Sequence, residues 1–229
     1  MKSTEMPRLD IAGPVRVIGT SRRALTGRVK LRVGGTACFE SSLERDWLIA
    51  VDFDPASIQI REQPFSVFYR MDGETRKYTP DLLVEYAAPR YGARVIVYEV
   101  KPLEVLQTEW ETFKPRFKAA VRYCRQRGWR FKILTEAQIR TPFVDNAKFL
   151  RRYRSLTTQP LFAEQLIYTL RALGETTPQA LLAAAYLTDE KRMAALPELW
   201  RLIATRRVGA LLDESLTMQS SIWLMDAES

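Results

Sequence analysis

The stretch from Tyr78 to Pro102 leaves this chain the fewest choices. It reads Y-T-P-D-L-L-V-E-Y, a loop over 87–93 that carries Pro and Gly, then R-V-I-V-Y-E-V-K-P. Two β-rich runs around turn residues predict an antiparallel hairpin. Side chains alternate along a strand, so Val95, Val97, Glu99 and Lys101 share one face and Ile96, Tyr98 and Val100 the other. The second strand is therefore largely buried, with a carboxylate and an ammonium leaving one face at its C-terminal end. Pairing brings the start of the first strand beside the end of the second, which puts Asp81 next to Glu99 and Lys101.

Neighbouring carboxylates repel unless a cation stands between them. Mg²⁺ and Mn²⁺ prefer oxygen ligands, and Mg²⁺ often takes only one or two carboxylates plus phosphate oxygens. A nearby lysine can orient or deprotonate a water, or neutralise a phosphate. P-D…(D/E)-x-K is the arrangement of restriction-endonuclease-like nucleases. The same residues also suit a solvated hairpin in which Asp81 is a turn residue and Glu99 and Lys101 pair at a strand end.

The chain contains no histidine. This excludes histidine general bases, Ser-His-Asp triads and the usual zinc motifs. Acid–base work falls to carboxylates, lysine, tyrosine or a metal-activated water. Cys38 and Cys124 are far apart and are expected as reduced thiols in a cytoplasmic protein. Residues 1–14 read as a loose leader without a secretory apolar core, and no run is long enough to span a membrane. The 229 residues, 46% of them hydrophobic, allow one large domain or a medium one plus a small one. Charge is uneven: residues 1–156 hold 29 Lys/Arg against 18 Asp/Glu, and 157–229 hold 6 against 9. The first part is the nucleic-acid candidate. The second suits a protein partner better.

Within 15–35, Arg22, Arg23, Arg28, Lys30 and Arg32 are candidate DNA contacts. Arg28, Lys30 and Arg32 fall at strand spacing on one face, either tracking phosphates or guarding an edge strand with charge. Residues 38–51 read as a helix capped near Ser41, with Leu43, Trp47, Ala50 and Val51 on its apolar face. Glu44 lies beside that face, so it either meets a positive group or is a third metal ligand; Glu40 competes for that role. Residues 57–101 form a run of strands with the polar cluster at one end, including a hairpin turn over 71–74.

The segments F-E-S-S-L-E-R-D (39–46), I-R-E-Q-P (60–64), Y-T-P-D (78–81) and E-V-K-P (99–102) occur in an order and spacing that resembles the TnsA family, the endonuclease subunit of heteromeric transposases. The resemblance implies a restriction-endonuclease-like α/β fold: a mixed sheet with flanking helices. It implies Mg²⁺-dependent cleavage at the 5′ ends of a transposable element, with Mn²⁺ able to substitute. It also implies work beside a transposase subunit that cuts the 3′ ends. By the same resemblance Glu44, Asp81 and Glu99 are metal ligands, and they and Lys101 are catalytic. Some members carry Gln at the Glu99 position. Gln63 matches the E-Q-P signature as a site-supporting residue, with a structural role at a strand end equally open.

A helix is expected over about 104–127, with Pro115 as a possible kink. Lys114, Lys118, Arg122 and Arg125 form its basic stripe, a DNA-backbone contact or a solvated face. Trp110, Phe113, Phe117, Val121 and Cys124 mark a separate apolar face. A strand over 129–134 and helices over 135–140 and 142–156 complete a catalytic domain of residues 1–156. Residues 157–229 read as three helices and two β-like runs, 208–212 and 216–224, the pattern of a winged helix. Its acidic balance favours docking a protein, and the resemblance suggests the regulatory ATPase subunit. The expected substrate is double-stranded DNA at the transposon ends. Two other readings are a stand-alone nuclease of the same fold, such as a junction resolvase or restriction enzyme, and a non-catalytic DNA-binding adaptor.

Overall fold

The computed structural model describes residues 26–225. The expected leader and the candidate contacts Arg22 and Arg23 lie outside them. The chain divides into two compact units, residues 1–139 and 140–229.

The first unit opens with an antiparallel hairpin of β1 (Gly27–Lys30) and β2 (Thr36–Phe39). Helix α1 (Ser42–Phe53) follows. The helix read over 38–51 thus starts later, because Cys38 and Phe39 finish a strand and Ser41 is the N-cap. Its Oγ accepts from the Glu44 N–H at 3.1 Å. Next come β3 (Ser57–Glu62), the hairpin β4 (Val67–Met71) and β5 (Glu74–Tyr78), then β6 (Leu82–Arg90) and β7 (Ala93–Val100). Helices α2 (Leu103–Thr108) and α3 (Trp110–Arg125), strand β8 (Arg130–Leu134) and the short α4 (Glu136–Ile139) complete the unit.

The central sheet has the order β3-β6-β7-β8. Its first three strands run antiparallel and β8 runs parallel to β7. Strands β6 and β7 pair Leu82 with Tyr98 and Leu83 with Val97, the hairpin expected from the sequence. The turn is tighter than the 87–93 loop. β6 continues through a register shift to Arg90, and Tyr91 and Gly92 alone turn the chain, at φ 52° and 80°. Two successive left-handed residues are what a two-residue hairpin turn requires.

Each face of the sheet takes a helix. Val95 and Val97 lie with Leu83, Phe113, Phe117, Ala120 and Cys124 in one buried cluster, so α3 covers that face. On the other face Tyr98 meets Trp47 of α1 edge-on, with centroids 5.1 Å apart. A mixed sheet with flanking helices fits a restriction-endonuclease-like fold. The single helix expected over 104–127 is two. Glu109 closes α2 by donating its N–H to Val105 O (3.0 Å), and its own carbonyl accepts from the Phe113 N–H (3.1 Å) to open α3. Pro115 lies inside α3 and does not mark the break.

The second unit comprises α5 (Pro142–Arg154), α6 (Pro160–Leu173), α7 (Pro178–Ala185), α8 (Asp189–Ala204), β9 (Val208–Ala210) and β10 (Ile222–Leu224). β9 and β10 pair antiparallel, and Thr176 adds one bridge to Ile222. The β-like run over 216–224 is a strand only at its end. The division at 139/140 precedes the 156/157 boundary read from the sequence, because α5 packs on α8. Its Val144, Ala147 and Leu150 are buried, and Phe149 meets Trp200 edge-on at 5.3 Å. Buried Asn146 also holds the loop after β9. Its Nδ2 donates to Leu212 O (2.8 Å) and Glu214 O (2.6 Å), and its Oδ1 accepts from the Leu216 N–H (3.0 Å). No helix among the described residues is long and apolar enough to cross a membrane.

Candidate active site

The β6–β7 pairing fixes the site. Asp81 immediately precedes β6, opposite the end of β7, where Glu99 lies with Lys101 just beyond. Asp81 Oδ2 accepts the Val100 N–H at 2.7 Å, which ties its carboxylate to the β7 terminus. Lys101 Nζ stands 3.0 Å from Glu99 Oε1 and 3.6 Å from Asp81 Oδ2, and donates to Val100 O at 3.1 Å. Glu99 is 1% exposed and receives the Tyr78 hydroxyl on Oε2 at 2.5 Å. Glu44 comes from the first turn of α1. Its carboxylate accepts the Glu40 N–H (2.8 Å) and the Ser41 hydroxyl (3.0 Å), while the Ser41 hydroxyl takes the Glu44 N–H. That reciprocal arrangement is a variant of the capping box, in which Glu44 reaches the N–H one residue before the N-cap. The S-x-x-E spacing that opens the helix therefore also aims Glu44 toward the site.

These groups share a cleft of about 420 Å³ lined by Glu40, Glu44, Lys77, Tyr78, Thr79, Asp81, Glu99, Lys101 and Arg116. Its electrostatics are those of crowded carboxylates. Burial, and then the Asp81 charge, raise the Glu44 carboxyl above its ordinary range. Burial raises Asp81 as well, with Lys101 opposing. Glu99 is pushed up to about 7 by burial and by Asp81, against the pull of Lys101. Burial alone would lower the Lys101 ammonium, but Asp81 and Glu99 outweigh it and hold the group raised and charged. Tyr78 is raised by burial and by Glu99, so its phenol remains a donor.

The donor set is oxygen only, which suits Mg²⁺ or Mn²⁺ and not a soft metal. Carboxylates that favour protons this strongly are poised to favour a cation instead. Among the described residues no three Asp, Glu, Cys or His side chains are grouped as a ready-made ligand set. Here the counter-charge of Asp81 and Glu99 is the Lys101 ammonium.

Gln63 follows β3 with φ 42° and donates its N–H to Asp81 O at 2.9 Å. It braces Asp81 through its backbone. Its side chain is buried, and Oε1 has no hydrogen-bond partner. The expected DNA contacts fall elsewhere. Arg28 and Lys30 lie exposed on β1, outside the cleft lining. The Arg32 guanidinium donates to the carbonyls of Asp52 (3.2 Å), Asp54 (3.2 Å) and Ser57 (2.6 Å), a structural tie between α1 and β3. Lys114, Lys118, Arg122 and Arg125 line a separate groove of about 580 Å³, floored by Trp110, Phe117, Val121, Phe131 and Ile133. The α3 residue that lines the carboxylate cleft is Arg116, which the stripe at i, i+4 spacing passes over. The signal was present in its spacing: Arg116 shares a helical face with buried Phe113 and Ala120.

A mixed sheet between helices, with P-D and E-x-K meeting at one end of a central hairpin, defines the nuclease class of α/β domain. The particular family follows from comparison. The TnsA-like endonuclease N terminal model matches residues 54–136 and the TnsA endonuclease C terminal model matches 138–210, so the chain belongs to the TnsA family. That makes it a transposase nuclease subunit, a DNA endonuclease by family. The junction of the two matches falls close to the structural division at 139/140. Asp81, Glu99 and Lys101 lie inside the first match and Glu44 ahead of it. No curated protein matches the sequence.

Proposed function

We propose that the chain is a Mg²⁺-dependent endonuclease that cuts the 5′ ends of a transposable element in the cytoplasm, while a partner transposase subunit cuts the 3′ ends. The observation that carries this reading is the meeting of Asp81, Glu99 and Lys101 in one cleft, within the span matched by the endonuclease family. Asp81, with Glu44 and Glu99, would hold Mg²⁺, or Mn²⁺ in its place. When bound, the ion supplies positive charge at the scissile phosphate and acidity for the attacking water. Lys101 would position or activate the attacking water and neutralise phosphate charge. Tyr78 and the Val100 N–H hold Glu99 and Asp81 in place. Gln63 fixes the backbone of Asp81. Water adds to phosphorus and gives up a proton to solvent, the bond to O3′ breaks, and the leaving oxygen takes a proton from solvent.

The second unit is read as a winged helix that docks the regulatory ATPase subunit. The order of α6, α7 and α8 followed by the β9–β10 pair supports this, as does the acidic balance of residues 157–229. One observation favours the adaptor reading: the carboxylates are already neutralised by Lys101 and no ligand set is ready-made among the described residues. Cleavage of transposon-end DNA, with the partner subunits and Mg²⁺ present, separates the two. Asp81→Asn and Lys101→Ala should each lose 5′-strand cuts by at least about a thousandfold while 3′-strand cuts persist. Undiminished 5′ cutting by either variant refutes the proposed site.

A further inference from the structure

The cleft presents a polyanionic substrate with four carboxylates, Glu40, Glu44, Asp81 and Glu99, and Lys101 is already engaged with two of them. Its other cations are Lys77, exposed at the end of β5, and Arg116 of α3. Arg116 is held by aromatic faces. Its guanidinium carbon lies 4.1 Å from the ring centroid of Phe113, 5.4 Å from Phe117 and 5.5 Å from Tyr78. Stacking fixes the plane of the guanidinium and leaves its edge for hydrogen bonding. One edge donor, Nε, is buried without any hydrogen-bond partner. A buried donor left without a partner is costly, so the site has a built-in demand for an acceptor. Tyr78 links this arginine to the catalytic cluster, because its ring lies under Arg116 and its hydroxyl bonds Glu99.

From this geometry we infer that Arg116 and Lys77 form a phosphate clamp, holding the backbone phosphate next to the scissile one in the strand being cut. Arg116 contributes a planar fork matched to two phosphate oxygens, and Lys77 a mobile point charge. The clamp rests on the nuclease reading above and assigns the cleft an anion-binding side opposite its carboxylates. It also gives Arg116, rather than the Lys114 stripe, the contact nearest the chemistry.

The test is equilibrium binding of the full chain to a fluorescein-labelled DNA duplex in EDTA, followed by anisotropy across a KCl series. Each phosphate contact contributes about 0.9 to the slope of log K against log salt. Arg116→Gln and Lys77→Gln should each flatten that slope by about this amount. Arg116→Gln should also lower affinity about tenfold at low salt, as expected for one charge-assisted contact. Arg116→Lys should recover the slope but not the full affinity, since the charge returns without the fork. A structural brace predicts the opposite pattern, a lower melting temperature for Arg116→Gln with the wild-type slope, and that result overturns the clamp. If Arg116→Gln does not fold, the exposed Lys77→Gln decides, and a wild-type slope there overturns it too. Wild-type protein without salt-dependent binding is likewise fatal. Because no divalent ion is present, this measurement and loss of cleavage in Asp81→Asn fail separately.

Discussion

Replacing Glu99 by Gln should remove a stability loss that the metal-free protein suffers as pH rises from 5 to 8. Glu99 is 1% exposed, and its carboxyl titrates near 7 in the fold against 4.5 for the free side chain. The folded state thus holds this proton more tightly than the unfolded state. Its contribution is fully present below about pH 4.5 and is lost as pH rises through 7. Between pH 5 and pH 8 that loss amounts to about 2.5 kcal/mol, a shift of roughly 2.5 pK units at 1.36 kcal/mol each, less the part already spent by pH 5. Gln preserves the shape and can still accept from the Tyr78 hydroxyl, but it has no proton to lose. Urea unfolding of both proteins in EDTA at intervals across this range reads the difference directly. The wild type should lose about 1–3 kcal/mol relative to Glu99→Gln on going from pH 5 to pH 8. Parallel curves would show that Lys101 already compensates Glu99 fully, and the idea of a carboxylate poised for a cation would fall.

Lys101→Met removes the counter-charge of two buried or half-buried carboxylates and should destabilise the metal-free protein at pH 8 by about 3 kcal/mol in urea; a neutral effect contradicts the ion-pair geometry. Arg32→Ala should cost about 1–3 kcal/mol by freeing the carbonyls of Asp52, Asp54 and Ser57, yet leave the salt slope of DNA binding unchanged; a flatter slope would restore it as a phosphate contact. Asn146→Ala should lower the stability of the 140–225 unit by about 2–4 kcal/mol, because three backbone groups lose their partner, and hydrogen exchange of Leu216 should accelerate. Unaltered exchange there refutes the clamp on the loop after β9.

The hairpin at the centre of the fold was legible because its signals are local. Alternation assigned the faces of β7, and antiparallel pairing then placed Asp81 beside Glu99 and Lys101 without any long-range information. Ser41 and Glu44 were legible for the same reason, as a cap and its partner one turn apart. What was not legible depended on which surface covers which. Arg32 sits at strand spacing with Arg28 and Lys30, yet its guanidinium turns back onto carbonyls that no local pattern reveals. The cations of α3 divide between two grooves, and only the packing of Phe113 and Phe117 on the sheet shows that Arg116 lines the cleft of the carboxylates. Helix α5 has an ordinary amphipathic pattern; its assignment to the second unit rests on what Val144, Ala147 and Leu150 meet. The site roles of Tyr78 and the Gln63 backbone likewise follow from hydrogen bonds across strands, not from residue type.

When DNA is bound, Asp81, Glu44 and Glu99 should exchange the Lys101 ammonium for a divalent cation. Anomalous diffraction from crystals of the full chain grown with duplex DNA and Mn²⁺ tests it most directly, with Asp81→Ala as the control. The account predicts a Mn²⁺ peak among these three carboxylates that is lost in the variant. DNA in the cleft with no peak there, and Lys101 still paired with Glu99 and Asp81, would contradict it.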